Sequence, residues 1–469
     1  MKRYGAIAFG LSLLLVAALD SDRRVLGISP RLPHVGRIIE AAAPIPIKPA
    51  GAQNYYPVAV GTRLWPGTLI FPPEGMRVRI LCAAGNTWVV PSGVRSGVGN
   101  GCPPPRRKPM GGLGHTRGFC SGTQSATIPY IISPRSSFLI GDRPLFRWNA
   151  VEGATEYEAI LRGEAGDIWR ATVTETEAIY DGERPLQPGS IYRLIVRANN
   201  GATSEAEEPS SQYDETPGSS FRLLPEEEAE VVRSQVAQLA ETDLTESGKI
   251  LAMADIYTRF GLRAEAIALL EAGAGDIAGD IAGVWSKPVD NNGILQSGDP
   301  PRPPLKTPSA FLPLLLQGGV GGGSSATTFD HTHIPEALQM GSALMLGNLY
   351  CQVGLTAMAE RYYSQAIERA KVTGDLAGAT LARTELANLY AINGETEKAI
   401  RSYQQALEGY ARLPDLSGAI ATRIRLGNIY RDAGNKREAR QQYEQALEGY
   451  RRLADFEGAR QMEEKINAL

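Results

Sequence analysis

The side chains best suited to chemistry are few. Asp330, His331 and His333 fall together in "FDHTH" (Phe329–His333), and three such groups could reach one divalent ion. Only four histidines occur in the chain, and G-x-S-x-G, H-E-x-x-H and G-x-x-x-x-G-K-[ST] are all absent. The cluster reads as solvated loop residues ahead of a helix begun by Pro335 and Glu336. A non-enzymatic protein with no metal and no cofactor is the leading reading. A metal-dependent or hydrolytic envelope enzyme is the alternative.

Binding chemistry is better marked. Asn348, Asn388 and Asn428 recur at a spacing of 40 residues, each two places before a tyrosine. Asn is a poor helix-interior residue because its side chain competes with the backbone for hydrogen bonds. Its amide both donates and accepts, so a ladder of them suits the backbone of an extended peptide. The other reading is that the column bonds neighbouring helices. Replacing one member by Ala is expected to weaken ligand binding and leave folding nearly unchanged, Ala being the better helix former. Around the last copy, Arg423, Arg425, Arg431, Lys436, Arg437 and Arg440 face only Asp432 and Glu438. That end therefore suits an acidic segment, with Arg425 and Arg431 as candidate contacts.

The elements that must position these residues repeat with them. "LGNLYCQVGLTAMAERYYSQAIERA" (Leu346–Ala370), "LANLYAINGETEKAIRSYQQALEGY" (Leu386–Tyr410) and "LGNIYRDAGNKREARQQYEQALEGY" (Leu426–Tyr450) hold one register. Gly354, Gly394 and Gly434 fall between two helical patterns, where positive φ closes a helix. Tyr363, Tyr403 and Tyr443, with Ala359, Ala399 and Ala439, supply packing columns, and Asp375, Asp415 and Asp455 can cap the next helix. A weaker copy, "MADIYTRFGLRAEAIALLEAG" (Met253–Gly273), keeps Tyr257, Gly261 and Ala266 at the same offsets. A fixed period of this size signals a stacked array of helix pairs.

These columns resemble the tetratricopeptide repeat in a 40-residue form. The resemblance implies an all-α solenoid in which the first helix of each pair lines a concave groove. It also implies a protein or peptide partner, and asparagines that meet extended ligands, as in repeats of the kinesin-light-chain type. The expected organisation is a helix plus degenerate repeat over 226–273, a Gly/Pro-rich insert over 274–333 ("SGDPPRPPLKTP", "GGVGGGSS"), and three repeats plus a capping helix over 336–469.

All-β modules are expected ahead of the array. From 44 to 127, "YYPVAV", "TLIFPP", "RVRILC" and "NTWVVP" read as short strands between Gly and Pro turns. Their order resembles the small β domain of FecR-like exported bacterial proteins. From 128 to 224, "PLFRWNAVEGATEYEAILRG" and "LQPGSIYRLIVRA" resemble a fibronectin type III sandwich. That likeness implies Trp148 as a core residue and Tyr192 as the donor or acceptor of a corner hydrogen bond.

Residues 1–19 read as a signal peptide: Lys2 and Arg3 precede an apolar run, Tyr4–Leu19, that is short for a membrane span of about 20 residues. Export to the periplasm or cell envelope is expected, with an uncleaved N-terminal anchor as the only membrane contact. A net charge of −3 and a pI near 6.0 give no basic surface for nucleic acid. In an oxidising compartment Cys82 and Cys102 form the preferred bridge, leaving Cys120, although three clustered cysteines allow three pairings. Zinc is the rival reading, without a CxxC pair to favour it. The order of signal, FecR-like, fibronectin-like and repeat segments is similar to exported cyanobacterial proteins.

Overall fold

The computed structural model describes residues 34–103, 127–206, 219–273 and 336–469, apart from 51, 53 and 414. The signal-like segment, Cys120, the Gly/Pro-rich insert and the Asp330/His331/His333 cluster lie outside the described residues.

The first β module has two four-stranded sheets of short antiparallel strands. One has the order β4 (Arg63–Leu64), β1 (Gly36–Ala41), β6 (Val78–Cys82), β7 (Thr87–Val90). The other has the order β3 (Tyr56–Val58), β2 (Ile45–Lys48), β5 (Leu69–Ile70), β8 (Ser96–Gly97). The four expected strands contribute β3, β5, β6 and β7. Strand β1, however, lies ahead of the boundary drawn at 44 and is central to its sheet. Its sequence GRIIEA does not alternate, because the register slips between Ile38 and Glu40 and both Ile38 and Ile39 are buried. A bulge of this kind removes the period-of-two signal. A disulfide joins Cys82 to Cys102, 20 residues apart. Closing a loop of that length stabilises by about 3 kcal/mol in the chain-entropy model.

The second β module is a two-sheet sandwich. Strands β14 (Glu177–Ile179), β11 (Leu145–Trp148) and β9 (Ile131–Ser133) form one sheet. The other runs β10 (Ser137–Leu139), β16 (Ser220–Leu223), β15 (Ile191–Ala198), β12 (Tyr157–Gly163), β13 (Gly166–Val173), with β10 and β16 parallel. Trp148 is buried edge-on against Tyr157, ring centroids 5.8 Å apart. The Gln187 N–H donates to the Tyr192 hydroxyl at 2.8 Å.

Ten helices follow among the described residues. α1 (Glu226–Ala240) leads into four further helix pairs in sequence order and a closing helix. These are α2 (Glu246–Arg259) with α3 (Arg263–Gly273), α4 (Glu336–Gln352) with α5 (Thr356–Thr373), α6 (Leu376–Ile392) with α7 (Thr396–Arg412), and α8 (Leu416–Asp432) with α9 (Lys436–Arg452). α10 (Phe456–Asn467) packs on α9 as the last element. The repeat columns explain these boundaries. Gly354, Gly394 and Gly434 turn the chain at φ of 79°, 75° and 79°. Asp375, Asp415 and Asp455 accept from the Gly378, Gly418 and Gly458 N–H groups at 2.8, 2.8 and 2.9 Å, satisfying a donor that opens each helix.

Tyr363, Tyr403 and Tyr443 are fully buried between the two helices of their pairs. The other tyrosine column is buried at Tyr350 but only half-buried at Tyr390 and Tyr430. Its hydroxyls reach back across the stack: Tyr350 to Glu271, Tyr390 to Glu360 at 2.6 Å, and Tyr430 accepting from Gln404 at 3.2 Å. The degenerate pair therefore joins the stack of complete pairs, although residues 274–335 separate them in sequence.

Candidate functional site

One stripe on the first helix of each pair can be followed by counting back from the repeat tyrosine. On α8 it reads Ala421, Arg425, Asn428 and Asp432, and on α6 Leu381, Glu385, Asn388 and Ile392. On α4 it reads Gly341, Met345, Asn348 and Gln352, and on α2 Gly248, Ala252, Asp255 and Arg259. Spacings of four, three and four residues keep each set on one helix face.

The four stripes have different fates. On α2 and α4 they are covered by the first β module. A Cβ on Gly341 would lie 2.8 Å from the Val60 carbonyl oxygen and 3.1 Å from the Gly61 Cα, and one on Gly248 would lie 3.2 Å from the Ile39 carbonyl oxygen. Only glycine allows the two backbones to approach so closely. Met345 and Ala252 are buried under the module, and a single hydrophobic core runs from Val35 in the β module to Leu389 on α6.

Charge fixes this seat. Arg37 on β1 donates through Nε to Asp255 Oδ1 at 2.6 Å and through Nη1 to the Gly61 carbonyl at 2.8 Å. Arg259, one turn along α2, pairs with Asp255 Oδ2 at 2.8 Å and donates to the Cys82 and Ala83 carbonyls. Burial alone would raise the Asp255 carboxyl, but Arg37 and Arg259, with His34 and Arg63, outweigh it and hold the group well below the usual carboxylate range. His34 beside them is driven down to about 4 by burial and by the Arg63 charge.

The stripes on α6 and α8 are more open, although β3 of the same module also packs on α6. Leu381 and Ile392 remain 39% and 38% exposed, as large apolar side chains at the two ends of the α6 stripe. Between them the Asn388 Nδ2 donates to Glu385 Oε2 at 2.9 Å.

The asparagine column has a structural role in each of the three complete repeats. The hydroxyls of Tyr363, Tyr403 and Tyr443 donate to the Oδ1 of Asn348, Asn388 and Asn428 at 2.9, 2.6 and 2.8 Å. The oxygen end of each amide is thus committed to the second helix of its own pair, and at Asn388 one N–H is also taken by Glu385. This corrects the expectation that an Asn→Ala change would spare folding, because it strands a buried hydroxyl. Of the candidate arginines, Arg431 is engaged by its neighbour Asp432 at 2.7 Å. Arg425 forms no hydrogen bond or ion pair among the described residues.

Sequence reasoning missed Asp255 and Arg37 as a site. The signal was available in one place: Asp255 falls in the asparagine column of the degenerate copy. Nothing local to β1 marked Arg37 as its partner. Among the described residues no three His, Cys, Asp or Glu side chains cluster as metal ligands, and no helix is long and apolar enough to cross a membrane.

Comparison with known proteins bears on the helical part. The tetratricopeptide repeat family model matches residues 339–410 and 379–452. This segment is a tetratricopeptide repeat array. No curated protein matches the chain. Among solved structures, BtubC (BKLC) from P. vanneervenii is 16% identical over 52% of this chain and 88% of its own, with a TM-score of 0.32. The nearly identical TPR-like repeats of a Podosopora anserina chain described as a kinesin light chain are 19% identical over 48% of this chain and 86% of theirs. They give a TM-score of 0.29, and a single-residue variant of the same repeats gives 0.30. The tetratricopeptide array marks the chain as a protein-interaction scaffold.

Proposed function

We propose that this chain is a non-catalytic, exported scaffold that holds a partner peptide on the open stripes of α6 and α8. The observation that carries this reading is the pair Leu381 and Ile392. Two large apolar side chains stand exposed at the ends of a stripe whose counterparts on α2 and α4 are covered. Exposed apolar surface bounded by polar groups is a usual mark of an interaction site. Export is supported by the N-terminal charge and apolar pattern and by the Cys82–Cys102 bridge, which suits an oxidising compartment.

A fibronectin type III-like identity for the second β module is supported by its two-sheet strand order, the buried Trp148 and the hydrogen bond of Tyr192 to Gln187. The FecR-like identity of the first rests on its order of turns and short strands.

Position-specific photocrosslinking tests the groove. A benzophenone amino acid at Ile392 in the full chain, expressed in its native envelope, is expected to give a discrete adduct. The same group at exposed Val231 on α1 is expected to give none. Equal labelling at the two sites, or none at Ile392, overturns the reading.

A further inference from the structure

Arg63 stands where the covered part of the groove meets the open part. It belongs to β4, pairs in register with Arg37 of β1, and is half-buried. On one side it feels the Arg37 and Asp255 charges, and on the other Glu385 of α6 and the Tyr363 hydroxyl that bonds Asn348. Yet it forms no hydrogen bond or ion pair among the described residues. Burial, then the Arg37 charge, lower its guanidinium to about 10, the direction expected for a cation drawn from water without full compensation.

On α8, Arg425 likewise forms no hydrogen bond or ion pair among the described residues. Glu385, whose charge Arg63 feels and which occupies on α6 the stripe position that Arg425 occupies on α8, is already held by Asn388. Asp432 is engaged by Arg431, and Lys465 of α10 lies over the Tyr443 ring at 5.8 Å. The open groove therefore presents two unpaired guanidinium groups to one carboxylate, flanked by the apolar Leu381 and Ile392. Half-buried arginines without partners are sites that a carboxylate completes.

We propose that the first β module is a fixed wall of the binding groove, and that the open stripes take an extended peptide whose acidic side chain is held between Arg63 and Arg425. The site is then shared by two modules, and the β module contributes a ligand contact as well as closing half of the array. This rests on the groove reading above and adds the partner's charge.

Fluorescence anisotropy on the full chain tests it. The probes are pools of short labelled peptides with both termini blocked, random except for one central Asp or Glu, against matched pools with Asn or Gln there. The acidic pools are expected to bind about fivefold more tightly, with a preference that falls as salt rises. R63Q and R425Q are each expected to abolish that preference, weakening the acidic pools more than the neutral ones. R425Q, at a half-buried position on α8 rather than in the β module, keeps the test informative if R63Q does not fold. Equal binding of the two pools, or a preference that survives both variants, overturns the proposal and leaves the groove reading standing. Binding of neither pool overturns both.

Discussion

Asp255 Oδ1 lies 2.6 Å from Arg37 Nε, with both side chains about 5% exposed or less. The bond ties the asparagine-column position of the degenerate repeat to the first strand of a module more than two hundred residues away. Breaking one partner of a buried pair leaves the other charge uncompensated, typically costing about 3–5 kcal/mol. Asp255→Ala is expected to lose roughly this much in urea unfolding. Joint replacement of Arg37 by Met and Asp255 by Leu should recover part of it, since Arg259 loses its carboxylate partner but keeps the Cys82 and Ala83 carbonyls. A loss under about 1 kcal/mol in the single variant would show that the seat does not depend on the pair.

Gly341 tests the seat without touching charge. Gly341→Leu gives α4 the residue that α6 carries at Leu381, and its side chain would meet the Val60 and Gly61 backbone. Overpacking of this kind costs about 1–3 kcal/mol. The β module is expected to separate from the array, so that one unfolding transition becomes two and protease cuts between the modules. Unchanged cooperativity would mean that the contact yields.

The asparagine–tyrosine bonds give a double-mutant cycle. Asn388→Ala removes the acceptor of the buried Tyr403 hydroxyl and is expected to cost about 1–3 kcal/mol. In a Tyr403→Phe background the same change should cost much less, since no hydroxyl remains to be stranded. Equal costs in the two backgrounds would show that the bond contributes nothing.

Acid should loosen the β-module seat in two stages. His34 has a folded pKa near 4, below its ordinary 6.5, so it contributes stability present above 6.5 and lost as pH falls through 4. Asp255, also held low, contributes stability present above the usual carboxylate range and lost below it. Glu265 acts in the opposite sense. Burial raises it to about 7, against the N–H that Ile140 donates to it, so its contribution is full below 4.5 and lost as pH rises through 7. Between about 4.5 and 6.5 the two trends oppose, and stability should change little before falling steeply in stronger acid. In Glu265→Gln the opposing trend is gone, and stability should rise with pH across that window. Urea midpoints measured at intervals of pH decide between these shapes.

The repeat array was legible because its information is local and periodic. Turn glycines, capping aspartates and packing tyrosines each act within about twenty residues of where they stand, and their recurrence at 40 multiplies the signal. The strands β3, β5, β6 and β7 were legible for the same reason, as short β-rich runs between turn residues. What only the tertiary structure decided is who occupies the groove. Asn388 and Asp255 hold the same column, yet one faces an open stripe and the other a buried arginine from β1. The difference comes from a docking contact between distant segments. Its determinants, Gly248, Gly341 and Arg37, look in isolation like a helix weakness, another helix weakness and a surface charge. Backbone approach at a glycine and the pairing of a buried ion exist only when both surfaces are present, so no local pattern in either surface carries them.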